Sequence, residues 1–475
     1  MREQEIQDTV ATPYMGFNLG STKIRQEWDR EVTKHIFESP LIRLMKDYEY
    51  HDIYSDGREI ENSIPAQSVI IYRYYEQADP DLGTGDRASI PEAAEGLSEL
   101  ILKIRDKVCD EDREARAQFK VYLVAHSMGG LICRCLLQND QIGSAEAKSL
   151  VDKVFTYGTP HNGIDMRGMN VPAFLGIWNI NNFNRKHIAD YLNLEEKNGH
   201  VNYLNDKFDP QKFFCLVGTN HRDYSLARLA TGPMSDGLVN IENAFVQKAP
   251  RAFAYRSHSG HYGMVNSEEG YQNLVRFLFG DTRVIGVLEP DNLPLPPSVE
   301  EAYNEDKKIK ASYYFESTVT PRGALLYNLT ERTVKTNSAV LRTFDELFKP
   351  QDLNLEKPRN PVLFSVFLDT GKITHGRTIV FTLDLVVRTT EYRINEKLFF
   401  RKRIPEENLY RQKITIRSTK SDEGWNIRYI PTDEEWGEKR GRDLSTDEQG
   451  PYIPLSSKKG FKGKLRLKID RWNQI

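Results

Sequence analysis

Hydrophobic positions follow two rhythms along this chain, and the change comes near residue 280. Before it, residues 68–75, 121–124, 213–219 and 252–255 are short, nearly continuous apolar runs of strand length. Such runs suit strands covered on both faces. Between them the apolar spacing becomes helical. Residues 90–108 follow Ser89, a good N-cap, with Pro91 in the first turn, while residues 131–138 and 268–279 form further amphipathic helices. Strands joined by helices must run parallel. The expected fold of residues 1–285 is therefore a doubly wound, mostly parallel α/β sheet.

After residue 280 helical spacing gives way to alternation. Residues 286–308 hold Leu293-Pro294-Leu295-Pro296-Pro297 and a charged stretch, which reads as a Pro-rich linker. Strand-like runs follow at 309–319, 362–369, 378–389, 412–417, 425–430 and 464–470, separated by Gly, Pro, Asn and Asp. They predict an antiparallel β-sandwich over residues 309–475. In the last run Lys464, Arg466 and Lys468 alternate with Leu465, Leu467 and Ile469, giving one apolar and one basic face. A solvated face is the plain reading; the other is peripheral contact with an anionic membrane.

Composition narrows the partners. A net charge of −3 with no polybasic stretch gives no reason to expect nucleic acid. Four cysteines in 475 residues make no disulfide framework, and the polar residues 1–7 lack the apolar core of a signal peptide, so a cytoplasmic location is expected. Cys133 and Cys135 lie two apart on a helix and point different ways, so they cannot form a metal pair. No apolar run approaches the ~20 residues of a membrane span.

Chemistry concentrates at residues 120–130, Lys-Val-Tyr-Leu-Val-Ala-His-Ser-Met-Gly-Gly. A serine hydroxyl is a poor nucleophile until a fold exposes it beside a base. A sharp strand-to-helix turn does this if the residues two before and two after the serine are small. Ala125 and Gly129 flank Ser127 in this way, and Gly130 adds clearance.

At this point the sequence resembles the lipase and esterase branch of the α/β-hydrolase superfamily, whose elbow reads Ala/Gly-His-Ser-Met-Gly-Gly. Gly158-Thr159-Pro160-His161 resembles a further loop of that branch, read here as a scaffold for the elbow. The resemblance implies a Ser, Asp, His order. Asp236 of Ser235-Asp236-Gly237-Leu238-Val239 is then the acid, with Asp165 the second choice. His261 is the expected base, because His261-Tyr262-Gly263-Met264-Val265-Asn266 matches the branch's His-x-x-Met-Val-Asn pattern. His258 is its rival. His126 should point away from the nucleophile, into packing or a hydrogen bond.

The roles implied are nucleophile for Ser127, base for His261 and orienting carboxylate for Asp236. The N–H of Met128 should be one oxyanion donor at a helix N-terminus. The branch usually shows an early apolar strand ending in His-Gly, whose loop supplies the second donor. None is visible, so the expectation is a chain that begins inside its own fold, or one in which the N–H of Met15 or Gly16 supplies that donor. Residues 163–208 fall where the branch inserts a lid; Phe174, Leu175, Ile177 and Trp178 are the candidates for an acyl site, the alternative being core packing. The expected activity is hydrolysis of carboxylic esters, including lipids, with no metal or organic cofactor. The alternatives are a thioesterase or amidase with the same triad, or a catalytically weak binding protein.

Overall fold

The computed structural model describes residues 20–26, 32–52, 63–72, 74, 88–164, 183–222, 234–260, 263–322, 327–332, 340–349, 360–372, 378–396, 400–421, 424–432 and 441–473. The chain divides into two compact units, Met1–Leu274 and Val275–Ile475. The division falls within the helix Glu268–Phe279, earlier than the boundary expected near residue 285.

In the first unit four parallel strands stand in chain order: Val121–His126, Val151–Tyr157, Phe213–Gly218 and Arg251–Ala254. The buried runs dictate this arrangement. Every residue of Phe213–Gly218 is buried, so the strand needs cover on both faces. Helices provide part of that cover. The helix Ile90–Cys109 begins at a capping box, in which Ser89 Oγ accepts the Glu92 N–H and the Glu92 carboxylate accepts the Ser89 N–H at 2.7 Å. It packs with Gly129–Gln138 in one core, where Ala94 and Ile101 join Leu131, Ile132 and Leu136.

The expected strand over 68–75 is shorter in the structure. Among the described residues of this segment only Ser68–Val69 is in a strand, paired in parallel with His51–Asp52. Tyr72 instead turns its hydroxyl onto the Ala93 carbonyl at 2.8 Å. Of the lid candidate 163–208, the described part holds the helix Arg185–Leu192, whose Ile188, Ala189 and Leu192 are buried in the core; that helix is packing rather than cover.

The second unit is built of antiparallel sheets, as alternation predicts. A seven-stranded sheet runs Thr330–Arg332, Ser312–Pro321, Thr378–Thr389, Asn408–Ser421, Gly424–Pro431, Arg442–Asp443, with Val340–Thr343 also paired to Ser312–Pro321. A five-stranded sheet runs Val362–Leu368, Thr282–Asn292, Lys462–Arg471, Gly450–Ser456, Ser445–Asp447. Phe315, Leu383 and Ile414 of the first sheet share one core with Val284, Leu363 and Leu465 of the second, which is the β-sandwich arrangement.

Residues 286–308 are not a linker. Thr282–Asn292 is a strand hydrogen-bonded on both sides, and Pro297–Asn304 is a helix with Val299 and Ala302 buried. The prolines misled because proline cannot donate to a sheet ladder. Pro290 is tolerated here at a register shift opposite Gly463. Pro297 opens the helix at a position where a missing N–H costs nothing.

The basic face expected on the last strand is not free either. Arg466 is 4% exposed, and its guanidinium lies between the carboxylates of Glu289 (2.7 Å) and Asp447 (2.9 Å). Lys464 also pairs with Asp447, at 2.7 Å. These ion pairs hold Asp447 well below the usual carboxylate range and raise Arg466. Their cross-strand clasp removes much of the charge that membrane contact would need.

Candidate active site

Ser127 follows directly on the strand Val121–His126 and precedes the helix Gly129–Gln138. Its φ of 53° lies in the left-handed region, a strained conformation for a residue with a side chain. Neighbours hold the strain. The Ser127 N–H donates to Tyr157 O at 2.9 Å, and the Ser127 carbonyl accepts from the Gly130 N–H at 3.1 Å and from Thr159 Oγ1 at 2.7 Å.

The space at the two glycines after the serine differs. A Cβ on Gly129 would stand 3.4 Å from that of Ala125, whereas one on Gly130 would run into the Thr159 side chain, 2.7 Å from its Cγ2. Ala125 is thus compatible with the elbow, and Gly130 meets the Gly-Thr-Pro-His loop.

The acid loop closes on itself. Asp236 Oδ1 accepts the N–H groups of Leu238 and Val239, at 2.9 and 2.7 Å, and Gly237 takes φ 102° to allow the turn. Oδ2 is left for another partner. It lies 2.8 Å from His258 Nδ1, and His258 Nε2 lies 3.0 Å from Ser127 Oγ. Because a carboxylate only accepts, Nδ1 of a neutral His258 carries the proton, and the Nε2 lone pair faces the serine hydroxyl. Both Asp236 and His258 are buried, at 1% and 3% exposure.

The histidine engaged here is not the one that the motif favours. His261 lies outside the described residues, and His258 is the ring that the structure joins to both Ser127 and Asp236. The reason is backbone registry. The His258 N–H donates to Asp236 O at 2.9 Å, just past the strand Arg251–Ala254, and Met264 N–H returns to Ser257 O at 3.0 Å. A motif match alone carried no information about that anchoring. Gly158 completes the surroundings at φ 54°; a Cβ there would stand 3.0 Å from Asp236 Oδ2 and 3.1 Å from His258 Nδ1.

His161 is fully buried, with Nε2 on Thr156 Oγ1 at 3.1 Å, and is a scaffold residue as expected. Burial, then the charge of Arg134, keeps its ring neutral by holding its pKa well below the ordinary value. Arg134 itself was not anticipated. Fully buried, it donates to Gln138 Oε1 and to the carbonyls of His161, Val201 and Tyr203 at 2.7–3.0 Å, and burial lowers its pKa to about 10. An arginine inside an apolar helix pattern was the available signal. Asp165, Met15, Gly16, Phe174, Leu175, Ile177 and Trp178 lie outside the described residues. No group of side chains suited to a metal ion occurs among the described residues.

The parallel sheet and the strand–serine–helix turn are those of an α/β-hydrolase-like domain, followed by an antiparallel β-rich region. Residues 74–189, which contain the elbow and the Gly-Thr-Pro-His loop, match the family model described as the PGAP1-like alpha/beta domain. Among solved structures, the chain is similar to the Bacillus licheniformis lipase BlEst2 in mature form, at 17% identity over 40% of this chain and 73% of that one, with a TM-score of 0.27. It is also similar to phospholipase PlaB from Legionella pneumophila, at 13% identity over 73% of this chain and 80% of that one, with a TM-score of 0.30. No curated protein matches the chain in sequence.

Proposed function

We propose that this chain is a serine hydrolase that cleaves carboxylic esters, lipids among them, through an acyl-enzyme intermediate. The observation that carries this reading is the unbroken line from Asp236 Oδ2 to His258 Nδ1 (2.8 Å) and from His258 Nε2 to Ser127 Oγ (3.0 Å). Ser127 attacks the ester carbonyl as His258 takes its proton, and His258 returns that proton to the leaving alcohol. Water then repeats the sequence on the acyl-enzyme. Asp236 holds the imidazole in the productive tautomer and stabilises its cation. The N–H of Met128 serves the oxyanion, with Met15 or Gly16 as the second donor, and Phe174, Leu175, Ile177 and Trp178 receive the acyl chain.

Four free, buried cysteines suit a reducing compartment, and we assign the protein to the cytoplasm. No helix among the described residues is long and apolar enough to cross a membrane.

A fluorophosphonate probe tests the reading directly. It should label the native chain at Ser127, and Ser127→Ala should lose both the label and p-nitrophenyl ester turnover, by about 10⁶ in kcat. A native chain that takes no label, or a variant that still takes it, would contradict the proposal.

A further inference from the structure

The mechanism above leaves Ser127's neighbour, His126, without a task. His126 is the last residue of the strand Val121–His126. Its Nε2 lies 3.0 Å from the backbone carbonyl oxygen of His258, and the two rings stand 4.9 Å apart between centroids, tilted by 41°. Since a carbonyl oxygen only accepts, Nε2 of His126 carries the proton and donates it. Consecutive residues therefore reach one histidine at two places: His126 at its backbone and Ser127 at its Nε2. Asp236 does the same from the other flank, accepting the His258 N–H at its carbonyl and holding Nδ1 with its carboxylate.

We propose that His126 is a positioning residue that sets the distance between nucleophile and base by holding the main chain of His258. This inference rests on the reading of Ser127, His258 and Asp236 as the catalytic set. The serine sits on a turn fixed by its own strand, whereas the base arrives on a loop 131 residues later. A bond from the residue beside the nucleophile to the carbonyl of the base ties the two arms where alignment matters most. Misplacement by ~1 Å at such a point can cost ~10² in rate.

The ring is suited to the task because it stays uncharged. Burial first, and then the neighbouring His258, push its pKa down to about 3. A neutral donor holds the carbonyl without opposing the cation that forms on His258 during turnover; a lysine or arginine there would donate but repel it. An uncharged amide could replace the ring. An aliphatic side chain could not.

The test uses the full chain with p-nitrophenyl butyrate, a fluorophosphonate probe and thermal unfolding. His126→Leu should lower kcat by about 10- to 100-fold with KM unchanged, and slow labelling by a like factor. His126→Gln, which keeps an N–H donor, should recover to within about threefold of native kcat at the same unfolding midpoint as the leucine variant. Native kcat in His126→Leu would overturn the proposal. Equal slowness of both variants with lowered midpoints would also overturn it, leaving only a packing role. If His126→Leu fails to fold, His126→Phe keeps the ring volume without the donor and carries the same expectation. His258→Ala measured alongside separates the two claims. Full turnover in that variant removes the base itself, whereas a dead His258→Ala beside an intact His126→Leu removes only the positioning role.

Discussion

The two arms of the site are built on opposite plans. The proposed nucleophile arm is local: a strand, a strained serine and a helix lie within Val121–Gln138, and one loop, through Thr159 32 residues on, braces the serine carbonyl. The proposed acid and base arm is assembled from two loops joined by one main-chain bond, His258 N–H to Asp236 O, the second loop being closed on itself by Met264 N–H to Ser257 O. Local geometry leaves a mark in sequence, because only small residues fit at fixed offsets from the serine. Loop-to-loop geometry leaves a weaker one. Of two histidines three residues apart the motif favours His261, whereas the hydrogen bonds of the structure engage His258.

The contrast can be broken most severely at the acid. Asp236→Asn should reduce kcat by about 10⁴ while leaving the chain folded, because the amide favours the wrong tautomer of His258. Steady-state kinetics with thermal unfolding would check this, and a loss below tenfold would detach Asp236 from the base.

A smaller effect is expected where the arms meet. Gly158→Ala places a Cβ 3.0 Å from Asp236 Oδ2 and 3.1 Å from His258 Nδ1, on a backbone at φ 54°. It should cost about 1–2 kcal/mol of stability, from the left-handed backbone, measured by urea unfolding. It should also lower kcat more than any change of similar stability cost at the elbow's outer face.

Acid should weaken the first unit by a route of its own. The folded chain holds His126 near 3 and His161 well below its ordinary value, both through burial first, so neither ring takes a proton that an unfolded histidine binds at about 6.5. Their contribution is whole above pH ~6.5 and falls as pH drops below it, since the unfolded state then binds more protons. Unfolding midpoints should therefore decline between pH 6.5 and 4.5. Replacing His161 with Phe should flatten that decline, and an unchanged slope would refute the assignment.

The mildest consequence for chemistry belongs to the second unit. Arg466→Met breaks the clasp with Glu289 and Asp447, and should lower that unit's thermal midpoint by several degrees while ester turnover stays native. Loss of turnover at an unchanged midpoint would overturn the structural role given to this arginine.

Much of this was legible in residues 120–130, where apolar run, small flanks and helix agree on one turn. The loop of the proposed acid was legible for the same reason: Asp236 caps it, so Ser-Asp-Gly-Leu-Val is a local structure. The histidine that the structure engages was only the rival in the sequence, because its place depends on a main-chain contact 22 residues away, His258 N–H to Asp236 O, which no short pattern records. Residues 286–308 misled for another reason. Proline was read as a break, yet Pro290 sits at a register shift and Pro297 at a helix start, positions that need no N–H. Arg466 and Lys464 looked like a solvent face by alternation alone, whereas their acidic partners come from other strands.

One comparison decides between the two histidines. His258→Ala and His261→Ala, purified alongside the native chain and shown by thermal unfolding to be folded, should be assayed with p-nitrophenyl butyrate and a fluorophosphonate probe. The expected result is loss of turnover by about 10⁶ in His258→Ala, with slow labelling, and near-native values for His261→Ala. A dead His261→Ala beside an active His258→Ala would contradict the central claim, and would return the base to the residue that the motif first suggested.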